Sequence, residues 1–234
     1  MKQLSIIFCL VCLVGPTEVL ARDYSVSVGA TGQIAASRDF DPLSDDDEFS
    51  LAHVEVGIEL DEVLPGLSLE VAWEAGSVSN QLYAGPNPWL STELAIHGLI
   101  LSASYRLPLT TWLNGTVRLG GTLDFARLQF TQDDQILLSD WSMARVGIVG
   151  TAGVEFLLPR NLWRTWFDKP KGDPDEGFTM GLRFELGWSY RQAFVFDQMR
   201  PSDTDKLSIV RSDMDIGGVH IDGLLFRVGL VAVF

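Results

Sequence analysis

Along most of this chain apolar and polar side chains alternate with a period of two, one segment after another. Successive side chains of a strand point to opposite faces, so this period predicts strands rather than helices. The last segment shows it best: Leu224, Phe226, Val228, Leu230, Ala232 and Phe234 make one face, and Leu225, Arg227, Gly229, Val231 and Val233 the other. Phe178, Met180, Leu182, Phe184, Leu186, Trp188 and Tyr190 alternate likewise with Thr179, Gly181, Arg183, Glu185, Gly187, Ser189 and Arg191. The segments Ala144 to Phe156, Val117 to Phe125, Ala95 to Arg106, Leu67 to Glu74 and His53 to Leu60 repeat the pattern, and a first strand near Tyr24 to Ala35 completes eight.

The polar face decides what kind of sheet this is. It is rich in glycine, with Gly29, Gly57, Gly98, Gly120, Gly147, Gly153, Gly181, Gly187, Gly223 and Gly229 all on it. Its charges mix signs: Glu55, Glu59, Glu70, Glu74, Asp124, Glu155 and Glu185 stand against Arg106, Arg118, Arg145, Arg183 and Arg227. Glycine weakens a strand that faces water. In a narrow barrel interior it leaves room for long Arg and Glu side chains to meet. The apolar face carries almost no charge over roughly nine to eleven residues per strand, the length that crosses a bilayer at a tilt of about 45°. Apolar outside and polar inside is the pattern of a transmembrane barrel. The fold expected is all-β: an eight-stranded antiparallel up-and-down transmembrane β-barrel.

Aromatic spacing and connection lengths agree. Phe226 and Phe234 lie eight residues apart on the apolar face, and Phe178 and Trp188 ten. At roughly 3.3 Å per residue and a tilt of about 40° these separations span about 20–25 Å, near the height between two aromatic girdles. Outer loops are expected at 36–50, 76–92, 130–141 and 192–217, and inner turns at 61–66, 107–115 and 159–176. The third inner turn is unusually long; Trp163 and Trp166 with Arg160 and Arg164 fit either an interfacial segment or a plain surface loop. Ten strands result if Lys206 to Met214 pairs as an extra hairpin.

The N-terminus reads as an address. Lys2 precedes a short apolar run, Leu4 to Gly15, and Val19-Leu20-Ala21 offers a cleavage site, so residues 1–21 are expected to be a signal peptide and 22–234 the barrel. The run is too short for a spanning helix, which needs roughly 20 residues. Both cysteines, Cys9 and Cys12, fall inside the leader, which excludes disulfides, thiolate metal sites and thiol catalysis from the mature chain. A net charge of −14 argues against binding a nucleic-acid backbone.

The C-terminus carries a resemblance. Phe234 with Ala232, Leu230, Val228 and Phe226 behind it at every second position is similar to the terminal targeting strand of Gram-negative outer-membrane barrels. With the leader and the count of eight, the chain resembles small barrels such as the OmpA membrane domain, OmpX and the opacity-protein type. The resemblance implies an outer-membrane location, contact with outer-membrane lipid, a monomer, and the barrel-assembly machinery as a partner reading Phe226, Val228, Leu230 and Phe234.

Chemistry is sparse. The inward charges Glu55, Glu59, Glu70, Arg118, Asp124, Arg145, Glu155, Arg183, Glu185 and Arg227 are expected to form a paired network that fills the lumen. A structural or surface-interaction role through the outer loops, with an unidentified surface ligand, is the reading favoured. A narrow path for solutes or ions and a lipid-modifying hydrolase or acyltransferase are the alternatives. His53 falls inward near the outer rim, His97 outward, and His220 above the membrane; Ser102 and Ser104 face away from His97, so one strand cannot build a triad. The acidic loop Asp39 to Glu48, like Asp213, Asp215 and Gly217, lacks calcium-loop spacing. No cofactor, metal or catalytic residue is expected.

Overall fold

The computed structural model describes residues 24–36, 48–84, 87–132, 135–158, 179–196 and 218–234. The leader, the long inner turn 159–176, Phe178, most of the acidic loop and the segment 206–214 lie outside these residues. The described residues form eleven strands: β1 (Tyr24–Ala35), β2 (Glu48–Glu59), β3 (Leu67–Ala84), β4 (Asn87–Pro108), β5 (Leu113–Gln132), β6 (Gln135–Trp141), β7 (Arg145–Leu157), β8 (Thr179–Arg191), β9 (Phe194–Val195), β10 (Gly218–Val219) and β11 (Gly223–Val233). No helix occurs among the described residues.

The strands close into a ring of eight staves, β1-β2-β3-β4-β5-β7-β8-β11, because β11 pairs with β1 as well as β8. Every pairing is antiparallel. β6 is no ninth stave. It pairs with β5 over Arg127–Gln132, and β7 pairs with the same strand over Leu113–Asp124, so the two are the upper and lower parts of one stave. The break between them is held by the Ser142 N–H donating to the Ala126 carbonyl at 2.8 Å and the Ala126 N–H to Ser142 Oγ at 3.1 Å.

Burial is inverted relative to a soluble protein. Leu101 is 62% exposed, Leu119 65% and Leu186 58%, whereas Glu70, Asp124 and Arg191 are fully buried. Water-soluble monomers rarely expose apolar patches beyond a few hundred Å²; here the patch runs round every stave. Aromatic rings bound it at two levels. Trp112 stacks on Phe156 at 6.0 Å between ring centroids, and Phe156 meets Phe184 edge-on at 6.2 Å, near the inner turns. Trp73, His97 and Trp141 stack at the other level.

Two of the expected loops are strand. β3 runs to Ala84 and β4 starts at Asn87, so most of 76–92 is ladder; β5 and β6 absorb most of 130–141. Each hairpin has one register shift, at Leu82/Tyr83 and at Phe130/Thr131. The reason is environmental. Above the membrane an outward side chain has no need to be apolar, so Ser77, Ser79 and Gln81 erase the alternation without breaking the backbone pairing. The first two inner turns are short as expected; in the first, Gly66 (φ 82°) takes the left-handed conformation and its N–H donates to Asp61 Oδ1 at 2.9 Å.

One glycine on the lipid-facing side has a packing reason. Gly32 lies opposite Phe226 in the closing pair, and the Phe226 ring occupies the space a Cβ at 32 would need. The ring replaces the missing side chain, as aromatics do over strand glycines. Gly32→Val is expected to displace the ring and destabilise the barrel by about 1–3 kcal/mol, the usual cost of overpacking, measured by urea unfolding in vesicles.

Candidate functional site: the barrel interior

The inward-facing residues form distinct levels. Nearest the inner turns, three guanidiniums meet five carboxylates. Arg183 (β8) donates to Glu55 Oε1 at 2.8 Å and to Glu155 Oε2 at 2.7 Å, and lies 3.5 Å from Glu70. Arg118 (β5) donates to Glu55 through two nitrogens, one at 3.0 Å, and approaches Glu70 at 2.9 Å and Glu185 at 3.4 Å. Arg106 pairs with Glu59, and with Glu155 at 3.3 Å. Ser104 donates to Glu70 Oε1 at 2.8 Å, and Asn114 to Glu155 at 3.4 Å. Glu55 stands on β2 while both its arginines stand three staves away in either direction, so these pairs cross the lumen rather than lining one wall.

A small apolar patch lies alongside. Ala72, whose neighbours on the same face of β3 are Glu70 and Glu74, packs with Ile100, Val149 and Leu225. Toward the outer end comes a second ionic cluster. Arg191 reaches Glu74 and Asp124, each at 3.2 Å, and Arg227 pairs with Glu74. Thr31 donates to Glu74 at 3.0 Å and lies 3.2 Å from His53 Nδ1, and Thr122 donates to Asp124 at 2.6 Å.

At the outer end the interior turns apolar again. Phe49, Leu51, Leu94, Ile96, Leu128 and Phe130 point inward from the upper staves. The β9–β10 ribbon brings Phe194, Phe196, Val219 and Ile221 into contact with them, and Gln33 fastens it by donating to the Ile221 carbonyl and, at 2.6 Å, to Ser189 Oγ. Between the levels one small pocket, lined by Ser27, His53, Glu55, Arg118, Arg183, Glu185, Arg227 and Gly229, has room for roughly one water molecule.

The inward glycines explain how so many long side chains fit. A Cβ at Gly29 or Gly229 would crowd the His53 ring; at Gly98 it would strike Asp124, and at Gly147 it would meet Thr122 and Arg191. These glycines are spaces that charged side chains occupy.

The structure brings Glu55, Glu59, Glu70, Arg118, Asp124, Glu155, Arg183, Glu185 and Arg227 into the two clusters, with Glu74 and Arg106. Arg145 corrects the expectation. It is half-buried at the end of β7 and makes no ion pair among the described residues; Asp124, its partner in the backbone register, turns to Arg191 instead. Arg191 itself, fully buried, was legible as a polar-face residue yet missing from the counted network. The apolar outer level is a second correction, because Leu51, Leu94, Ile96 and Leu128 share the parity of the charged residues below them. Among the described residues no cluster of three or more His, Cys, Asp or Glu is placed to hold a metal. His53 is buried beside Thr31, His97 faces outward between two indoles, and His220 lies 4.0 Å from Asp222 ahead of β11.

No family model and no curated protein matches this sequence. Several solved structures resemble it in general shape. Neisserial surface protein A shares 9% identity, with 91% of this chain and 94% of that one covered at a TM-score of 0.44. Ail, the attachment invasion locus protein of Yersinia pestis, in complex with the heparin analogue sucrose octasulfate, shares 10% identity over 92% of this chain and all (100%) of that one at a TM-score of 0.42. CarO2 of Acinetobacter baumannii shares 12% identity over 90% and 99% at 0.29. These values describe a likeness of outline; the assignment of eight closed staves rests on the pairing registers of this chain.

Proposed function

We propose that this chain is an outer-membrane barrel, exported by its leader and inserted through its C-terminal strand, that neither conducts nor catalyses but presents a projecting sheet at the cell surface. The observation that carries the reading is the continuation of β3, β4, β5 and β6 past the rim. β2 stops pairing with β3 at Ala52–Ala75, and β7 begins pairing with β8 at Gly147–Arg191, while the four strands run on together. Ordered backbone held above a membrane is a platform for contact, and binding residues concentrate on such outer segments.

The lumen supports the non-conducting half of the proposal. Two ionic clusters cross it, the space left between them holds roughly one water, and apolar residues fill the mouth. In planar bilayers the purified protein is expected to give no steps in current; steady conductance that changes on charge reversal at Arg118 would restore the channel reading. A hydrolase role gains nothing from His97, whose ring neighbours are Trp73 and Trp141.

A deletion strain and a strain carrying a trimmed protein separate the readings. In the trimmed form residues 77–91 and 129–140 are replaced by rim-level turns. Cells with the trimmed protein are expected to keep a folded barrel, seen as a heat-sensitive gel shift, and to lose surface attachment as completely as the deletion. Small-solute permeability and outer-membrane lipid composition should stay unchanged in both. Altered lipids would favour the enzyme, altered permeability the channel, and unchanged attachment would remove the surface role.

A further inference from the structure

One cation stands on the outward face of the described strands, and it is Arg127. It is the next outward residue of β5 above Leu123 and Phe125, where the exposed apolar belt ends. Its guanidinium carbon lies 5.9 Å from the centroid of the Trp141 ring, and its Nε donates to Ser139 Oγ at 3.0 Å. No carboxylate comes within ion-pair distance of it among the described residues. Beside it Trp141 stacks on His97 (6.4 Å, 27°) and His97 on Trp73 (6.2 Å, 21°), a row of three rings across β6, β4 and β3.

The depth of this row is set by its neighbours. Below it Leu99, Leu101 and Leu119 are exposed; above it come Ser77, Glu93 and Gln129. That is the level of lipid headgroups, where indole rings anchor and an arginine can meet anions. The ring and Ser139 hold the guanidinium in place, among the described residues no carboxylate takes its two Nη groups, and the planar fork matches phosphate geometry. Free phosphate would gain nothing from the leucines beneath, whereas a lipid fills both parts.

We propose that Arg127, Trp141 and His97 form a headgroup site for an anionic, phosphate-bearing lipid of the outer leaflet. The site rests on the membrane reading of the apolar belt, and its test is chosen so that the two can fail separately. The barrel is refolded into vesicles of phosphatidylcholine containing either brominated phosphatidylglycerol or brominated phosphatidylcholine. Quenching of Trp141 is taken as the difference between each protein and its Trp141→Phe counterpart. Half-quenching is expected at roughly five-fold less of the anionic lipid than of the zwitterionic one, the preference one surface arginine confers. Arg127→Gln should abolish the preference and Arg127→Lys should keep part of it, with the folded gel shift intact in both. Equal quenching by the two lipids, or a preference that survives Arg127→Gln, would overturn the site and leave the membrane reading standing. Absence of quenching by either lipid would sink both. Relief of anionic quenching by inorganic phosphate would mean that the site takes the free ion, which also overturns the proposal.

Discussion

Replacing Arg183 with methionine is expected to cost the folded barrel about 3–5 kcal/mol, the usual penalty for removing one partner of a buried ionic group. Arg183 serves Glu55, Glu70 and Glu155 at once, and each of these carboxylates is almost fully buried. The cluster already holds more acids than guanidiniums, so no spare cation can move over. Pairing Arg183→Met with Glu155→Gln should recover part of the loss, because one stranded charge disappears with its partner. Arg145→Met supplies the contrast: with no ion pair to lose among the described residues, it should stay within about 0.5 kcal/mol of the parent. Urea titrations of the protein in lipid vesicles, read by intrinsic fluorescence, measure all three. Equal losses at 183 and 145 would mean that the crossing pairs do not hold the staves together.

Leu119→Arg tests the other face. Leu119 is 65% exposed and lies between the two aromatic levels on β5, so its side chain meets hydrocarbon. An arginine near the bilayer midplane of a barrel costs about 2–4 kcal/mol, falling toward zero at the interface. Ser77→Arg, on the outward face of β3 above the belt, is therefore expected to change stability by less than about 1 kcal/mol. The same vesicle assay decides. A Leu119→Arg protein as stable as Ser77→Arg would show that the belt touches something other than lipid.

Legibility in the sequence followed the solvent. Where the outward side meets hydrocarbon and the inward side meets charge, period-two alternation marks every stave, and the eight strands were readable down to their faces. Above the membrane that contrast vanishes. Ser77, Ser79 and Gln81 look like loop, yet β3 pairs with β4 through them, because a ladder needs only backbone and tolerates polar side chains on both sides. The interior was readable as a list of charges but not as levels. Which acid meets which arginine depends on the stagger between staves three apart, and no single segment encodes it. Phe49, Leu51, Leu94, Ile96, Leu128 and Phe130 carried a usable signal in their parity, which would have separated an apolar mouth from a polar waist. The ribbon that covers them could not be foreseen, since its two short strands, Phe194–Val195 and Gly218–Val219, pair across more than twenty residues of intervening chain.

The pairing of β1 with β11, from Ser25–Val233 to Ala35–Gly223, is a seam between the two remotest strands of the chain. Ribosomal synthesis makes Tyr24–Ala35 long before Gly223–Val233, so one edge of the first strand waits unpaired until the other arrives. Such long-range closure is slow compared with hairpin formation. An unfinished edge also has no partner to borrow from in oil. Assembly in the membrane must therefore be close to all-or-nothing: until the final stave docks there is no stable intermediate cylinder for the bilayer to hold.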